Sequence, residues 1–199
     1  MITIPEASST KSATVSRLST KSIVLSGMFA AILAAISQIS IPMPTGVPIT
    51  IQVFGIALVG AVLGWRLGLF ATLAYILIGA AGVPVFAGFR GGIASLTGLA
   101  GGYILAWPIM VIFCGLRFRT ESKRLSLLLS ILFALLGLII DEIAGGVQWS
   151  LLSGGAMTLQ AVFAYSMVAF VPKDVIITIL AVIIGRQIRK PLYRSGYLD

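Results

Sequence analysis

The side chains in this chain best suited to holding a small ligand are a few isolated polar residues among long apolar runs. Arg90 is the single charge within a glycine-rich segment, residues 82–103. Asp174 precedes the last apolar run, and Thr50 and Gln52 close a loop that contains three prolines. The arginine suits an anionic group, and the other three side chains donate or accept hydrogen bonds. An isolated charge among apolar runs usually has a partner or a ligand, so these residues predict a binding site.

The chain lacks the groups on which most enzymatic catalysis depends. It contains no histidine, and its single cysteine, Cys114, lies inside an apolar run. It has no Ser/His/Asp set, metal-ligand cluster or phosphate-binding Gly-Lys-Ser/Thr sequence. Asp141 and Glu142 point about 100° apart on a helix, so they do not share one proton. For them we favour a solvated helix end or a hydrogen bond between helices. The sequence therefore predicts no enzyme, no catalytic residue and no metal site.

The elements that must position these polar residues are membrane helices. The chain has 199 residues, of which 58% are hydrophobic and 10% charged, and its mean hydropathy is +1.08. Lipid offers no partners for exposed backbone groups, and continuously apolar runs favour helices over a closed barrel. The net charge of +8 would suggest nucleic acid in a soluble protein, but here the basic residues lie between apolar runs. They therefore indicate orientation, with Lys and Arg on the cytoplasmic side, and argue against nucleic acid as a partner.

The apolar runs give six predicted crossings, since each crossing needs about 20 residues for roughly 30 Å of hydrocarbon and short helices end inside the protein. The predicted fold class is an all-α integral membrane protein with one domain at 23–190. A flexible tail at 1–22 and a second tail at 191–199 both lie in the cytoplasm. The predicted crossings are 23–41, 53–63, 67–81, 102–116, 125–147 and 175–185.

Two stretches near the C-terminal end need separate interpretations. The sequence GGVQWSLLSGG, residues 145–155, is predicted as an external loop. Residues 157–171 are apolar, but counting them as a crossing would place the basic C-terminal residues outside. We therefore predict a re-entrant or interfacial segment there. The last helix then begins near Pro172, because proline is favoured in the first turn.

The glycine-rich segment lies on the predicted external face, together with Asp174, Thr50 and Gln52. Glycine lets the backbone approach a ligand or another helix closely. Two interpretations follow: the segment lines a pocket, or it packs between helices. Arg90 favours the pocket, because it breaks the rule that basic residues collect on the cytoplasmic side.

Small residues recur at intervals of four in the first predicted crossing. They form two sets, Gly27 with Ala31 and Ala35, and Ala30 with Ala34. This spacing places each set on one helix face, which favours close packing against a partner helix.

Three motifs, in this order, resemble those of a known family. VPITIQ, LGWRLG and YILIGAAGVPVFAGFRGGIASLTGLAGGY are similar to the BioY family, the biotin-binding S components of energy-coupling-factor vitamin transporters. The resemblance covers about 26–185, and the GVPVFAG…GG…GG pattern is its most specific part. Leu99 and Ala100 replace the family's Pro-Thr, and Ile177 replaces a lysine often found one turn after the aspartate. Lys173 is a candidate substitute for that lysine.

The resemblance implies a multi-pass protein of the cell membrane, surrounded by lipid, that binds biotin from outside and delivers it inward. Biotin is then the transported ligand, and no cofactor is expected. Family members typically dock, through small residues of the first helix, onto a transmembrane T component driven by two ATPase subunits. A solitary transporter that forms a homo-oligomer is one alternative, and an S component for another small vitamin is a second. The positions that match the docking pattern are Gly27, Ala30, Ala31, Ala34 and Ala35.

The resemblance and the chemistry of biotin together imply a set of binding residues. Hydrogen bonds are expected from the hydroxyl, amide and carboxylate, apolar contacts from the aromatic rings, and a contact with the biotin carboxylate from Arg90. In an alternative, Arg90 and Asp174 form a salt bridge that only shapes the pocket. The predicted substrate-binding residues are Thr50, Gln52, Tyr75, Phe86, Arg90, Gly91, Gly92, Tyr103 and Asp174.

Overall fold

The computed structural model describes residues 19–118 and 120–198 and is predominantly helical, as predicted. Most of the predicted N-terminal tail at 1–22 lies outside the described residues, and the first helix begins at Thr20. The elements in chain order are α1 (Thr20–Ser37), β1 (Ser40–Ile41), β2 (Ile49–Thr50), α2 (Gln52–Leu63), α3 (Trp65–Ala80), α4 (Ile93–Leu96), α5 (Gly101–Gly115), α6 (Lys123–Leu152), α7 (Leu159–Ala169) and α8 (Val171–Arg194).

The helices differ in whether their length alone suffices to cross a membrane. Within the described residues, α1 and α6 are long and apolar enough, and α7 with α8 passes the same test as one span bent by 54°. The helices α2, α3 and α5 are apolar but only 12, 16 and 15 residues long. These long apolar helices are those of a membrane protein.

Helix α2 forms the centre of the core. It packs against α1, α3, α5 and α8, and nearly all its side chains are buried. A helix that is hydrophobic on all sides is stable only when other helices surround it, and α2 is such a helix. Gly64, with a φ of 81°, separates α2 from α3, and this left-handed conformation favours glycine.

Helix α6 continues through a stretch that the sequence predicts as a loop. The prediction of an external loop at 145–155 is wrong, because α6 ends only at Leu152. Two glycines in the helix allow aromatic rings of neighbouring segments to approach its backbone. A Cβ at Gly145 would meet the ring of Tyr103, and one at Gly146 would meet the ring of Phe163. Tertiary packing thus overrides the low helix propensity of glycine here.

A small antiparallel pair of strands, β1 with β2, closes the loop between α1 and α2. Ser40 pairs with Thr50 and Ile41 pairs with Ile49. The predicted proline-rich connection is therefore a hairpin, and we call its residues 40–52 the proline loop. Strand β2 of this loop ends at Thr50, and α2 begins two residues later at Gln52.

The basic residues of α8 fasten the helix ends at the side opposite the proline loop. The Arg186 guanidinium donates to the Ser126 carbonyl at 3.0 Å and to the Ser130 hydroxyl at 3.0 Å. Arg189 donates to the Val62 carbonyl at 2.6 Å. The predicted tail at 191–199 continues α8 to Arg194, and Leu198 then packs into the core at 4% exposure.

Candidate functional site

A cavity of about 460 Å³ lies beside the glycine-rich segment. Its volume falls within the roughly 300–1,000 Å³ typical of small-molecule sites. The proline loop forms one wall, the glycine-rich segment with α5 forms the second, and α6 with the start of α8 forms the third. Charged side chains of both signs line the cavity, together with aromatic rings. They are Arg90, Asp141, Glu142, Lys173 and Asp174, and Phe86, Tyr103, Trp107 and Phe170.

The structure brings most of the predicted binding residues together around this cavity. Tyr75 and Gly92 do not line it. Gly92 has a φ of 84° and immediately precedes the short helix α4, so it shapes the backbone of the wall. The predicted residues that line the cavity are Thr50, Gln52, Phe86, Arg90, Gly91, Tyr103 and Asp174.

Tyr75, expected to contact the ligand's apolar body, lies behind the cavity wall and does not line the cavity. Its side chain is 2% exposed, and its hydroxyl donates to the Val85 carbonyl at 2.8 Å. The same hydroxyl lies 2.6 Å from the Ser37 hydroxyl and accepts from the Gln52 amide at 3.4 Å. Its ring packs edge-on against Phe86 with the centroids 5.6 Å apart. Tyr75 therefore positions Gln52 and Phe86.

Gln38, which the sequence analysis did not identify, also holds the glycine-rich segment. It lies just after α1, and its amide nitrogen donates to the Val85 and Phe86 carbonyls, each at 3.3 Å. Its amide oxygen accepts from the Phe89 backbone N–H at 2.9 Å. The feature of the sequence that could indicate this role of Gln38 is an isolated amide side chain at the end of an apolar run.

A tight turn presents Arg90 to the cavity. The Phe86 backbone N–H donates to the Arg90 carbonyl at 2.9 Å, which closes residues 86–90 into a loop. Gly88 and Phe89 take positive φ angles of 67° and 56° within it. The Arg90 side chain is exposed, and among residues 19–118 and 120–198 no carboxylate pairs with it. The alternative of a salt bridge between Arg90 and Asp174 is therefore wrong for this structure.

The second half of the glycine-rich segment packs tightly against α6. The Gln148 amide of α6 donates to the Leu96 carbonyl at 2.9 Å and to the Gly98 carbonyl at 2.8 Å. A Cβ at Gly101 would meet the Leu96 carbonyl of α4 and the Gln148 amide of α6, and a Cβ at Gly102 would meet the Ala144 carbonyl of α6. Both interpretations of the segment thus hold in different parts: its first half carries the turn at the cavity, and its later glycines serve helix packing.

Lys173 joins the proline loop to α8. Its ammonium donates to the Thr50 carbonyl at 2.6 Å and to the Asp174 carboxylate at 2.5 Å. Asp174 is 3% exposed and lies in the first turn of α8, where the helix dipole favours a carboxylate. This pair fixes the distance between two walls of the cavity.

Asp141 and Glu142 line the cavity and are not solvated. Asp141 is 0% and Glu142 8% exposed. Within the described part of the chain, neither oxygen of Asp141 nor Oε2 of Glu142 has a hydrogen-bond partner. The expectation of a solvated helix end or of a hydrogen bond between helices is therefore wrong. The sequence shows two acids within an apolar run, but it does not show that they face a cavity.

The small residues of α1 lie on two different faces. Gly27, Ala31 and Ala35 are exposed on the outer surface, and a Cβ at Gly27 would meet nothing within 4 Å. Ala30 is 6% exposed and Ala34 packs against the core. Neighbouring helices thus cover Ala30 and partly cover Ala34, and the exposed members of the predicted docking set are Gly27, Ala31 and Ala35.

Known proteins match this chain over nearly its whole length. A probable biotin transporter BioY of Pyrococcus horikoshii is 35% identical over 169 residues, which cover 85% of this chain and 96% of that protein. The biotin transporter BioY of Rhizobium etli is 34% identical over 179 residues, covering 86% of this chain and 94% of the relative. A crystal structure of the S-component for biotin from an ECF-type ABC transporter has the same fold, with a TM-score of 0.73. It is 30% identical and covers 85% of this chain and 91% of that one.

The family assignment follows from the extent of these matches. The relatives align over most of their own length as well as over most of this chain, so the similarity is that of whole proteins. The sequence profile of the BioY family matches residues 9–194, which include all three walls of the cavity. This chain therefore belongs to the BioY family.

Proposed function

We propose that this chain is the biotin-binding subunit of an uptake transporter in the cell membrane. It takes biotin from the external side and delivers it inward, and a transmembrane T component with two ATPase subunits supplies the energy. The observation that carries the proposal is the cavity, because two of the three segments quoted for the family resemblance, VPITIQ and the glycine-rich one, form two of its walls. Its family is one of transporters, so it acts by binding and not by catalysis.

The proposed topology has six crossings, formed by α1, α2, α3, α5, α6 and α8, with both termini in the cytoplasm. The short helices α2, α3 and α5 do not reach across the hydrocarbon alone. The proline loop and the glycine-rich segment fill the remaining depth, which is tolerated because their backbone faces protein or the cavity. Helix α7 packs against α6 and α8 and serves as the re-entrant segment.

The cavity offers a separate partner for each part of biotin. Arg90 is the proposed partner of the carboxylate, because its guanidinium is exposed and forms no ion pair within the described residues. The rings of Phe86, Tyr103 and Trp107 line the cavity and suit the thioether and the aliphatic chain. Thr50, Gln52 and Asp174 are the proposed partners of the planar ureido group.

Equilibrium binding of labelled biotin to the purified protein tests this function. We expect saturable binding with a dissociation constant below the micromolar range, and no competition by an unrelated small vitamin. Absence of biotin binding in that range, with binding of another vitamin, would assign the chain to that vitamin. Absence of all binding would overturn the proposal.

Replacing Arg90 by alanine should weaken biotin binding about 10- to 100-fold, since a hydrogen bond to a charged group contributes roughly 1.5–3 kcal/mol. The fold should be retained, because the turn is closed by the backbone of Arg90 and not by its side chain. Arg66→Ala is the matched control, since Arg66 is also exposed and does not line the cavity. Equal affinity of both variants and the native chain would remove Arg90 from the site.

Replacing Ala31 by tryptophan should abolish co-purification with the T component while biotin binding persists. Ala31 is exposed one turn after Gly27 on the outer face of α1, and an indole side chain there would prevent the close approach of a partner helix. Leu132→Trp on the outer face of α6, where Leu132 is 52% exposed, controls for added bulk. Affinity tagging after co-expression with the T component and the ATPases gives the measurement. Full co-purification of Ala31→Trp would exclude this face as the docking site.

A further inference from the structure

We infer that Glu142 is a ligand-contacting residue that accepts a hydrogen bond from an N–H group of the bound molecule, with Asp141 reinforcing the same acidic wall. This inference rests on the proposed function, in which the N–H groups are those of the ureido ring of biotin. It adds a contact from α6 to those expected from the proline loop, the glycine-rich segment and α8.

The geometry around Glu142 leaves one oxygen of its carboxylate without a donor from the described part of the protein. Glu142 lines the cavity and is 8% exposed, and its Oε2 lacks a hydrogen-bond partner within the described residues. Lys173, the cation of the neighbouring wall, already donates to Thr50 and to Asp174. A buried acceptor without a donor is costly, so the arrangement is favourable only when something in the cavity donates to it.

A metal ion does not fit the role of that partner. Among residues 19–118 and 120–198, no group of three or more Asp, Glu, Cys or His side chains is placed to hold a metal. The donor that we assign to Glu142 is therefore a group of the ligand. An uncharged N–H group fits best, because it supplies a hydrogen without bringing a further cation into the cavity.

The charges of the cavity support a ligand with two different ends. Three acids, Asp141, Glu142 and Asp174, share the cavity with two cations, Arg90 and Lys173. An anionic group next to the acidic wall of α6 would be repelled, whereas N–H donors would be attracted. The acids thus orient a molecule that carries a carboxylate at one end and N–H donors at the other, with the carboxylate directed toward Arg90.

A ligand and protein substitution cycle tests the inference. Biotin is compared with its two N-methyl derivatives, a pair of isomers in each of which one ureido N–H is replaced by N–CH₃; each compound is tested on the native chain, on Glu142→Leu and on Glu142→Gln. In the native chain we expect one isomer to bind about 10- to 100-fold more weakly than biotin, since a hydrogen bond to a carboxylate is lost. In Glu142→Leu, biotin should lose a similar factor, and the preference over that isomer should fall to about threefold or less.

Matched variants separate this role from a structural one. Glu142→Gln keeps the shape and one acceptor oxygen, so it should fold normally and retain part of the preference for biotin. Glu121→Leu and Glu121→Gln apply the same changes to an exposed glutamate outside the cavity and should leave all three affinities unchanged. If Glu142→Leu does not fold, the preference measured in Glu142→Gln decides the question.

The outcomes distinguish this inference from the proposed function. If the native chain binds biotin and the Glu142 variants keep both its affinity and its preference for unmethylated biotin, the inference is overturned and the proposed function stands. If the native chain does not bind biotin at all, the proposed function fails, and the inference fails with it.

Discussion

Replacing Lys173 by methionine is expected to weaken biotin binding about 100-fold and to lower the midpoint of thermal unfolding by several degrees. The Lys173 ammonium is bonded to both the Thr50 carbonyl and the Asp174 carboxylate, so it connects the proline loop to α8. Methionine keeps the length and the apolar stem of the side chain but removes the charge. Asp174, whose side chain is 4% exposed, then becomes a buried carboxylate without a cation.

The magnitude follows from the cost of separating a buried ion pair. Removing one partner of such a pair typically costs about 3–5 kcal/mol. The Lys173 side chain is 27% exposed, so we expect the lower end of that range, roughly 3 kcal/mol. If about half of this 3 kcal/mol is lost from binding, the affinity for biotin falls about tenfold. Asp141 and Glu142 line the same cavity, and their repulsion of the unpaired Asp174 carboxylate lowers the affinity further.

A double variant separates the loss of stability from the loss of binding. In Lys173→Met with Asp174→Asn, the unpaired charge is gone, so the unfolding midpoint should recover while biotin affinity stays low. Lys123→Met, at the exposed start of α6, is the matched control and should change neither quantity. Calorimetric or fluorescence unfolding and biotin titration in the same detergent give both readings. Native affinity in Lys173→Met would show that the Thr50 bond is dispensable for the site.

The sequence was most informative where a residue type contradicted its surroundings. Arg90 is a charge among glycines, and Asp174 is an acid at the first turn of an apolar helix. Both line the cavity, as expected of an isolated charge among apolar residues, which usually has a partner or a ligand. The hydrophobic runs predict the positions of the long helices, because the lipid and the protein interior both require these helices to be apolar.

The supporting residues were not predictable because their role depends on contacts between distant segments. Gln38 and Gln148 each bond carbonyls of the glycine-rich segment that lie about 50 residues away along the chain. An amide side chain at a helix end has no local pattern that announces such a contact. The aromatic type of Tyr75 predicts a ligand contact, but a buried hydroxyl is equally satisfied by protein carbonyls, and the structure shows that arrangement.

The glycines of α6 depart from their local propensity for a different reason. Local propensity assigns a Gly-Gly pair to a loop, since glycine weakens a helix by about 1 kcal/mol. In a membrane protein the same pair permits close helix contact, and the gain from packing exceeds that loss. The α6 backbone at Gly145 and Gly146 therefore stays helical under the rings of Tyr103 and Phe163.

Replacing Gly145 by valine is accordingly expected to remove most of the folded protein. A Cβ at Gly145 would collide with the ring of Tyr103, and valine adds two further methyl groups at that point. Overpacking of an interior contact typically costs about 1–3 kcal/mol and occasionally more. The Tyr103 ring also lines the cavity, so its displacement would reduce the biotin affinity of any protein that folds.

Two comparisons test whether the ring of Tyr103 is the cause. Gly27→Val makes the same change in α1, where a Cβ would meet nothing within 4 Å, and should leave the yield of monodisperse protein unchanged. Combining Gly145→Val with Tyr103→Ala vacates the space that the valine needs and should restore much of the yield, although biotin binding stays weak. Gel filtration of detergent-solubilised protein gives the measurement. If Gly145→Val alone elutes like the native chain, α5 and α6 do not pack as closely as their glycines require.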